Sequence, residues 1–213
     1  MIAGRVLLAF ALSALVLWLP PVFKQVESSP DFPSMAGVVN LIGRESDSAH
    51  GCAISPTVVV TNMHVTGENG ENVYRYSTNE GQEGILAPSM VVLSADLATL
   101  TPKAGGPLKT LARVAANAPA VGSELFWVGY DWDTRPGMFA RTNHHGKVSR
   151  VVAGLIVIDA ETPAGTSGGC VINSAGETVG VIAWGRRGEQ DHKEATIAVG
   201  IYGDWTPRPK GGA

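Results

Sequence analysis

Three side chains in this sequence have the types and spacing to activate a hydroxyl: His64, Asp96 and Ser167, which lie 32 and 71 residues apart. Ser167 sits in Gly165-Thr166-Ser167-Gly168-Gly169. A serine hydroxyl is a weak nucleophile until a base takes its proton. Its attack also needs backbone N–H donors aimed at the oxyanion that forms. Glycines on both sides allow the sharp turn that brings such donors close. The N–H groups of Gly165 and Ser167 are the candidate donors, and one donor of this kind contributes about 3 kcal/mol of transition-state stabilisation. His64 ends the run Val58-Val59-Val60-Thr61-Asn62-Met63-His64-Val65, in which a β-branched strand leads into an imidazole, a base suited to neutral pH. Asp96 lies in Ser94-Ala95-Asp96-Leu97-Ala98-Thr99-Leu100. A carboxylate among apolar neighbours needs a partner, and a histidine N–H is one whose bond also fixes the imidazole tautomer. Taken singly, each has a plain alternative: a flexible Gly/Ser turn, a satisfied histidine at a strand end, a capping aspartate.

The elements that must position these groups read as short strands. From Ala36 onward, apolar stretches of mostly four to seven residues, rich in Val and Ile, alternate with turn residues. They include Gly37–Ile42, Cys52–Ile54, Val58–Thr61, Met90–Leu93, Leu125–Val128, Leu155–Ile158, Val171–Asn173, Val179–Trp184 and Ile197–Ile201. This pattern predicts an all-β barrel or sandwich. The best helical stretch, Leu108–Ala118, lacks a clean apolar face, and the turn-rich segment 116–122 could divide two barrels. The 213 residues include 26 glycines and 13 prolines, enough for many tight turns. With 45% hydrophobic and 16% charged residues a packed core is expected rather than disorder. A net charge of −3 and the lack of a basic patch with interleaved aromatics exclude an electrostatic nucleic-acid binder.

The first 24 residues form a separate class. Arg5 precedes fourteen residues, Val6–Leu19, interrupted only by Ser13, then two prolines. This reads as a secretory signal. Counted to Phe23, the stretch is eighteen residues, just long enough to span a bilayer. A cleaved signal peptide and an uncleaved membrane anchor both remain open, and both export the chain to a periplasmic or extracellular setting. Residues 25–35 read as a linker, 36–118 and 119–205 as two halves of one domain, and 206–213 as a frayed tail.

The order of the three chemical signals discriminates between folds. His, then Asp, then Ser is the order on chymotrypsin-type barrels, whereas an α/β-hydrolase, whose G-x-S-x-G element Gly165–Gly169 also fits, needs Ser, Asp, His. Asp191 and His192 could supply that order on paper, but adjacent residues cannot form the relay and only 46 residues follow Ser167. The chain resembles the trypsin-like serine proteases, and more closely their bacterial Deg/HtrA type. The resemblance rests on Thr61-Asn62-Met63-His64-Val65, on Asp96-Leu97-Ala98, and on the block Ile158–Asn173, which is similar to the family's pattern around the nucleophile. Gly37–Gly43, Ala120–Gly129 and Gly146–Ser149 are similar to further family segments, so the likeness covers about residues 36–203. It implies two six-stranded antiparallel β-barrels with a His64–Asp96–Ser167 triad between them, Asp96 orienting His64, and hydrolysis of peptide bonds through an acyl-enzyme. It implies a polypeptide substrate and neither metal nor organic cofactor, and leaves oligomeric state open. With eight residues after Trp205, no PDZ module is expected.

The resemblance extends to the cleft. It implies that Trp184, Gly185 and Gly200 line an S1 pocket and that Glu161, six residues before Ser167, stands at its floor. A carboxylate there favours a basic P1 side chain. A pocket for small or aliphatic residues is the alternative. Ala183 stands where relatives often carry a serine that bonds the triad aspartate, so that support must come from elsewhere. The strands bearing Cys52 and Cys170 are implied to approach behind the nucleophile. In an exported chain these two cysteines, the only ones present, can form a disulfide; two free thiols are the alternative. His144-His145, near Asp131 and Asp133, is read as hairpin decoration rather than a metal site, because neighbours on a strand face opposite ways. A barrel that kept this architecture only to bind partners is the rival function, which the intact set of three side chains disfavours.

Overall fold

The structure is a computed structural model that describes residues 32–43, 48–67, 72–92, 96–132, 139–162, 165–186 and 195–203. The predicted N-terminal signal or anchor helix, most of the linker and the tail lie outside the described residues. Among the described residues no helix is long and apolar enough to cross a membrane.

Six strands, β1 (Val38–Ile42), β2 (Ser48–Ser55), β3 (Val58–Thr61), β4 (Tyr74–Thr78), β5 (Glu83–Val92) and β6 (Leu97–Ala104), close into a barrel in the order β1-β2-β3-β6-β5-β4. A short strand β7 (Arg113–Val114) follows. Then β8 (Glu124–Trp132), β9 (Phe139–Val152), β10 (Leu155–Asp159), β11 (Cys170–Asn173), β12 (Glu177–Arg186) and β13 (Ala195–Gly200) run in the order β11-β8-β9-β10-β13-β12. Pairing of β12 with β11 closes this second antiparallel barrel, and β7 adds in parallel to the start of β12. Closure pairs most of each strand on both edges, and β12 runs past its pairing with β11, which ends at Val181, to Arg186. The single helical turn among the described residues is α1 (Met63–Thr66).

The strands are apolar on both faces because each face has its own core. Side chains alternate across a strand, and here the alternation divides them between barrel interiors and the seam between barrels. In β3, Val59 enters the first barrel with Val39, Leu41, Leu86 and Leu100, while Val60 points to the seam. In β11, Val171 enters the second barrel with Leu125, Trp127 and Ile156, while Cys170 and Ile172 join the seam. Val38 and Leu97 meet Val128, Val181 and Ile201 there, all buried. Burial of each such side chain contributes about 1.5–3 kcal/mol. The seam therefore packs one barrel against the other.

Candidate active site

His64 and Asp96 are brought together by strand register. β3 pairs with β6 so that Thr61 stands opposite Ala98. Two residues before Ala98 and three after Thr61, the chain arrives at Asp96 and His64. His64 lies in α1, whose turn is closed by the Thr66 hydroxyl donating to the Met63 carbonyl at 2.8 Å. Asn72 and Tyr74 both donate to the Val65 carbonyl, which holds the turn against the barrel.

The Asp96 carboxylate accepts twice from one residue: from the His64 main-chain N–H at 3.1 Å and from His64 Nδ1 at 2.8 Å. An ionised carboxylate can only accept, so Nδ1 carries the proton and Nε2 keeps a lone pair. The His64 side chain is 45% exposed and that of Asp96 17%, so the base is open to solvent and its partner largely covered.

Ser167 occupies a turn in which Gly165 and Gly168 have φ of 89° and 80°. These are left-handed values that glycine adopts without strain. Both barrels hold this turn. From β2, the His50 N–H donates to the Ser167 carbonyl at 2.8 Å, and His50 Nδ1 donates to the Gly165 carbonyl at 3.0 Å. From β12, Ile182 accepts from Gly168 N–H at 2.8 Å and donates to the Gly169 carbonyl at 2.9 Å. Thr61 steadies the first pair by donating to the His50 carbonyl at 2.7 Å. A Cβ on Gly168 would come within 2.0 Å of that same carbonyl, so only glycine fits. Thr166 is fully buried, and its hydroxyl lies where a side chain on Gly129 would intrude at 2.6 Å. Ser167 itself is half-buried. Among the described residues no carbonyl accepts from the main-chain N–H of Gly165 or of Ser167.

Cys52 and Cys170 are joined in the structure, with Cα atoms 5.3 Å apart. The bond runs through the buried seam, from mid-β2 to the first residue of β11, three positions after Ser167.

The residues expected to bind substrate lie on β12, on β13 and before Ser167. Trp184 and Gly185 lie near the end of β12, opposite Ile197 and Thr196 of β13. Gly200 pairs with Gly180, and a Cβ there would meet Tyr202 and the Gly154 carbonyl. A register shift between Ile182 and Trp184 sets which β13 residues stand opposite Trp184 and Gly185, and it is not visible in a short motif match. Thr196 stands opposite Gly185. It is fully buried, its hydroxyl donates to the Ala160 carbonyl at 2.7 Å, and it also meets the Thr162 hydroxyl. Glu161, between those two residues, is exposed.

His145 pairs with Glu124 at 2.8 Å and His144 stacks on Trp127, so the two rings go to opposite faces of β9. Among the described residues no group of three His, Cys, Asp or Glu side chains could hold a metal ion. His50 was not singled out from the sequence. The available signal was its place two residues before Cys52, hence on the same face of β2.

Residues 49–181, more than half of the chain, match the family described as the trypsin-like peptidase domain. No curated protein matches the chain in sequence. Among solved structures, the chain is similar to the crystal structure of the serine endoprotease from Yersinia pestis, with a TM-score of 0.64 and 19% identity. The match covers 78% of this chain and 59% of that one, so the chain spans well under two thirds of that protein, and the likeness is one of fold.

Proposed function

We propose, from the premise that this chain belongs to the trypsin-like peptidase family, a family of serine-type endopeptidases, that it cleaves polypeptides with Ser167 as nucleophile, His64 as base and Asp96 as its orienting partner. The observation that carries this reading is the double acceptance by Asp96. It fixes the His64 tautomer with Nε2 as the basic nitrogen, the form needed to take a serine proton and return it to the leaving amine. Ser167 then attacks the carbonyl, the N–H groups of Gly165 and Ser167 receive the oxyanion, and water hydrolyses the acyl-enzyme.

An extended peptide substrate is supported by β12. After Ile182 its outer edge has no strand partner among the described residues, while the other edge pairs with β13 through Arg186. A peptide can add there as a further strand. The position of Thr196 supports a small P1 side chain. A branched residue stitched to Ala160 and Thr162 narrows the space opposite Gly185, and an exposed carboxylate at Glu161 is screened by water and selects weakly for a basic group. Export is supported by the Cys52–Cys170 bond, since disulfides persist in oxidising compartments, and by the apolar run Val6–Leu19.

The test is digestion of a mixed peptide library by the exported part of the chain beside Ser167→Ala. Cuts that vanish in the variant and cluster after Ala, Ser or Val support the reading. A folded parent that leaves the library intact refutes it, and cuts after Lys or Arg refute the P1 assignment alone.

A further inference from the structure

The carboxylate of Asp96 receives hydrogen bonds from His64 alone among the described residues. Ala183 has no hydroxyl to offer it. Yet the aspartate must be held, because a carboxylate free to rotate would not fix the imidazole. The structure holds it by its backbone.

Asp96 has φ of 49°, one of two non-glycine residues among those described in the left-handed region, the other being Ala153 at a hairpin turn. Aspartate enters that region more readily than most residues with a Cβ, and it stays there where contacts hold it. Here those contacts fall on the Asp96 carbonyl. It accepts from the Met63 main-chain N–H at 3.2 Å and from Asn62 Nδ2 at 3.1 Å. A carbonyl only accepts, so the Asn62 amide must present its NH₂ to it. Asn62 is fully buried, at the junction of β3 and α1, and makes no side-chain cap to the turn that follows. Its Oδ1 has no partner among the described residues. A buried amide that gives its NH₂ to one carbonyl and leaves its own oxygen unpaired adds little net stability, because the unsatisfied acceptor offsets the bond.

We propose that Asn62 is a positioning residue for the His64–Asp96 pair. Through the Asp96 carbonyl it locks the left-handed backbone that turns the carboxylate toward His64, and so takes the part that a hydroxyl bonded to the carboxylate itself would play. Residues 62, 63 and 64 then grip Asp96 with four hydrogen bonds, two on the carbonyl and two on the carboxylate. The inference rests on the proposed peptidase reading.

The test compares the parent with Asn62→Ala, which removes the donor, and Asn62→Asp, which opposes the carbonyl with a second acceptor. Three things are measured: kcat and KM on a cleaved peptide, the downfield proton resonance of His64 Nδ1, and the thermal midpoint. Losing the aspartate's function costs about 10⁴ in kcat in enzymes of this mechanism. Loosening it through the backbone is expected to cost roughly 10–10² with KM within about threefold, and to broaden or shift the Nδ1 resonance in folded protein. Asn62→Asp is expected to lose more than Asn62→Ala. Folded Asn62→Ala with parental kcat and an unchanged Nδ1 resonance overturns the proposal. Should Asn62→Ala fail to fold, the resonance and kcat of Asn62→Leu, close to asparagine in size and without a donor, decide by the same criterion. A parent that cleaves nothing but shows the Nδ1 resonance, lost in Asn62→Ala, overturns the peptidase reading and leaves the positioning role standing.

Discussion

Replacing both bridging cysteines, Cys52→Ala with Cys170→Ala, separates the stability of this fold from the geometry of its cleft. The bond closes a loop of 118 residues. In the chain-entropy account, closing a loop of that length removes about 16 cal/mol/K from the unfolded ensemble, or about 4.9 kcal/mol at 25 °C. For a domain of this size each kcal/mol moves the midpoint by about 2–4 °C, so the double variant should melt about 10–20 °C lower. The turn around Ser167 should change far less. It retains the two bonds from His50 and the two with Ile182, all independent of the sulfurs. Well below the midpoint, the rate of fluorophosphonate labelling should therefore stay within roughly threefold of the parent, the range of small geometric perturbations. Scanning calorimetry and labelling on the same samples make the measurement. A midpoint lowered by less than about 3 °C would refute the loop-closure argument. A collapse of labelling in protein that still melts cooperatively would show that the bond, and not the hydrogen bonds, sets the nucleophile's geometry.

The cleft carries two further expectations. His50→Ala removes the donor to the Gly165 carbonyl and should lower kcat by roughly 10–10² as the Gly165 N–H loses its aim, with KM little changed; unchanged kcat in steady-state assays would separate His50 from the oxyanion turn. Thr196→Gly should raise kcat/KM for Leu over Ala at P1 by roughly tenfold, the usual value of a methylene or two in a pocket, and Gly200→Ala should lower stability through its clash with Tyr202. A library profile unchanged in Thr196→Gly would remove Thr196 from the pocket.

What was legible in the sequence follows from how locally each feature is encoded. The runs at 38–42, 58–61, 155–158 and 179–184 read as strands because most of their residues are apolar and many of them are buried in the barrel cores or the seam. β9 was not legible: its fourteen residues, FARTNHHGKVSRVV, hold almost no apolar run, since much of its surface is exposed and its pairing with β8 and β10 alone keeps it extended. The proline in β5 obscured that strand, and it is tolerated beside the register shift at Pro88. Leu108–Ala118, the most helical stretch in the sequence, is irregular chain containing β7, where Ala112 N–H and Ala115 N–H bond back to the two barrels. At the site, motif order nominated His64, Asp96 and Ser167, and the structure joins the first two by hydrogen bonds. The grip of Asn62 on Asp96, the clamp from His50 and the placing of Thr196 opposite Gly185 depend on register between strands distant in sequence, which no local pattern carries.

Peptide cleavage by this chain is proposed to depend on Ser167 being a nucleophile activated by His64. The most direct measurement is mass-spectrometric localisation of a fluorophosphonate adduct on the exported part of the chain, with His64→Ala alongside. A single adduct on Ser167 that disappears in the folded His64→Ala variant is the predicted result. A folded parent with no adduct, or an adduct on another residue, would contradict it.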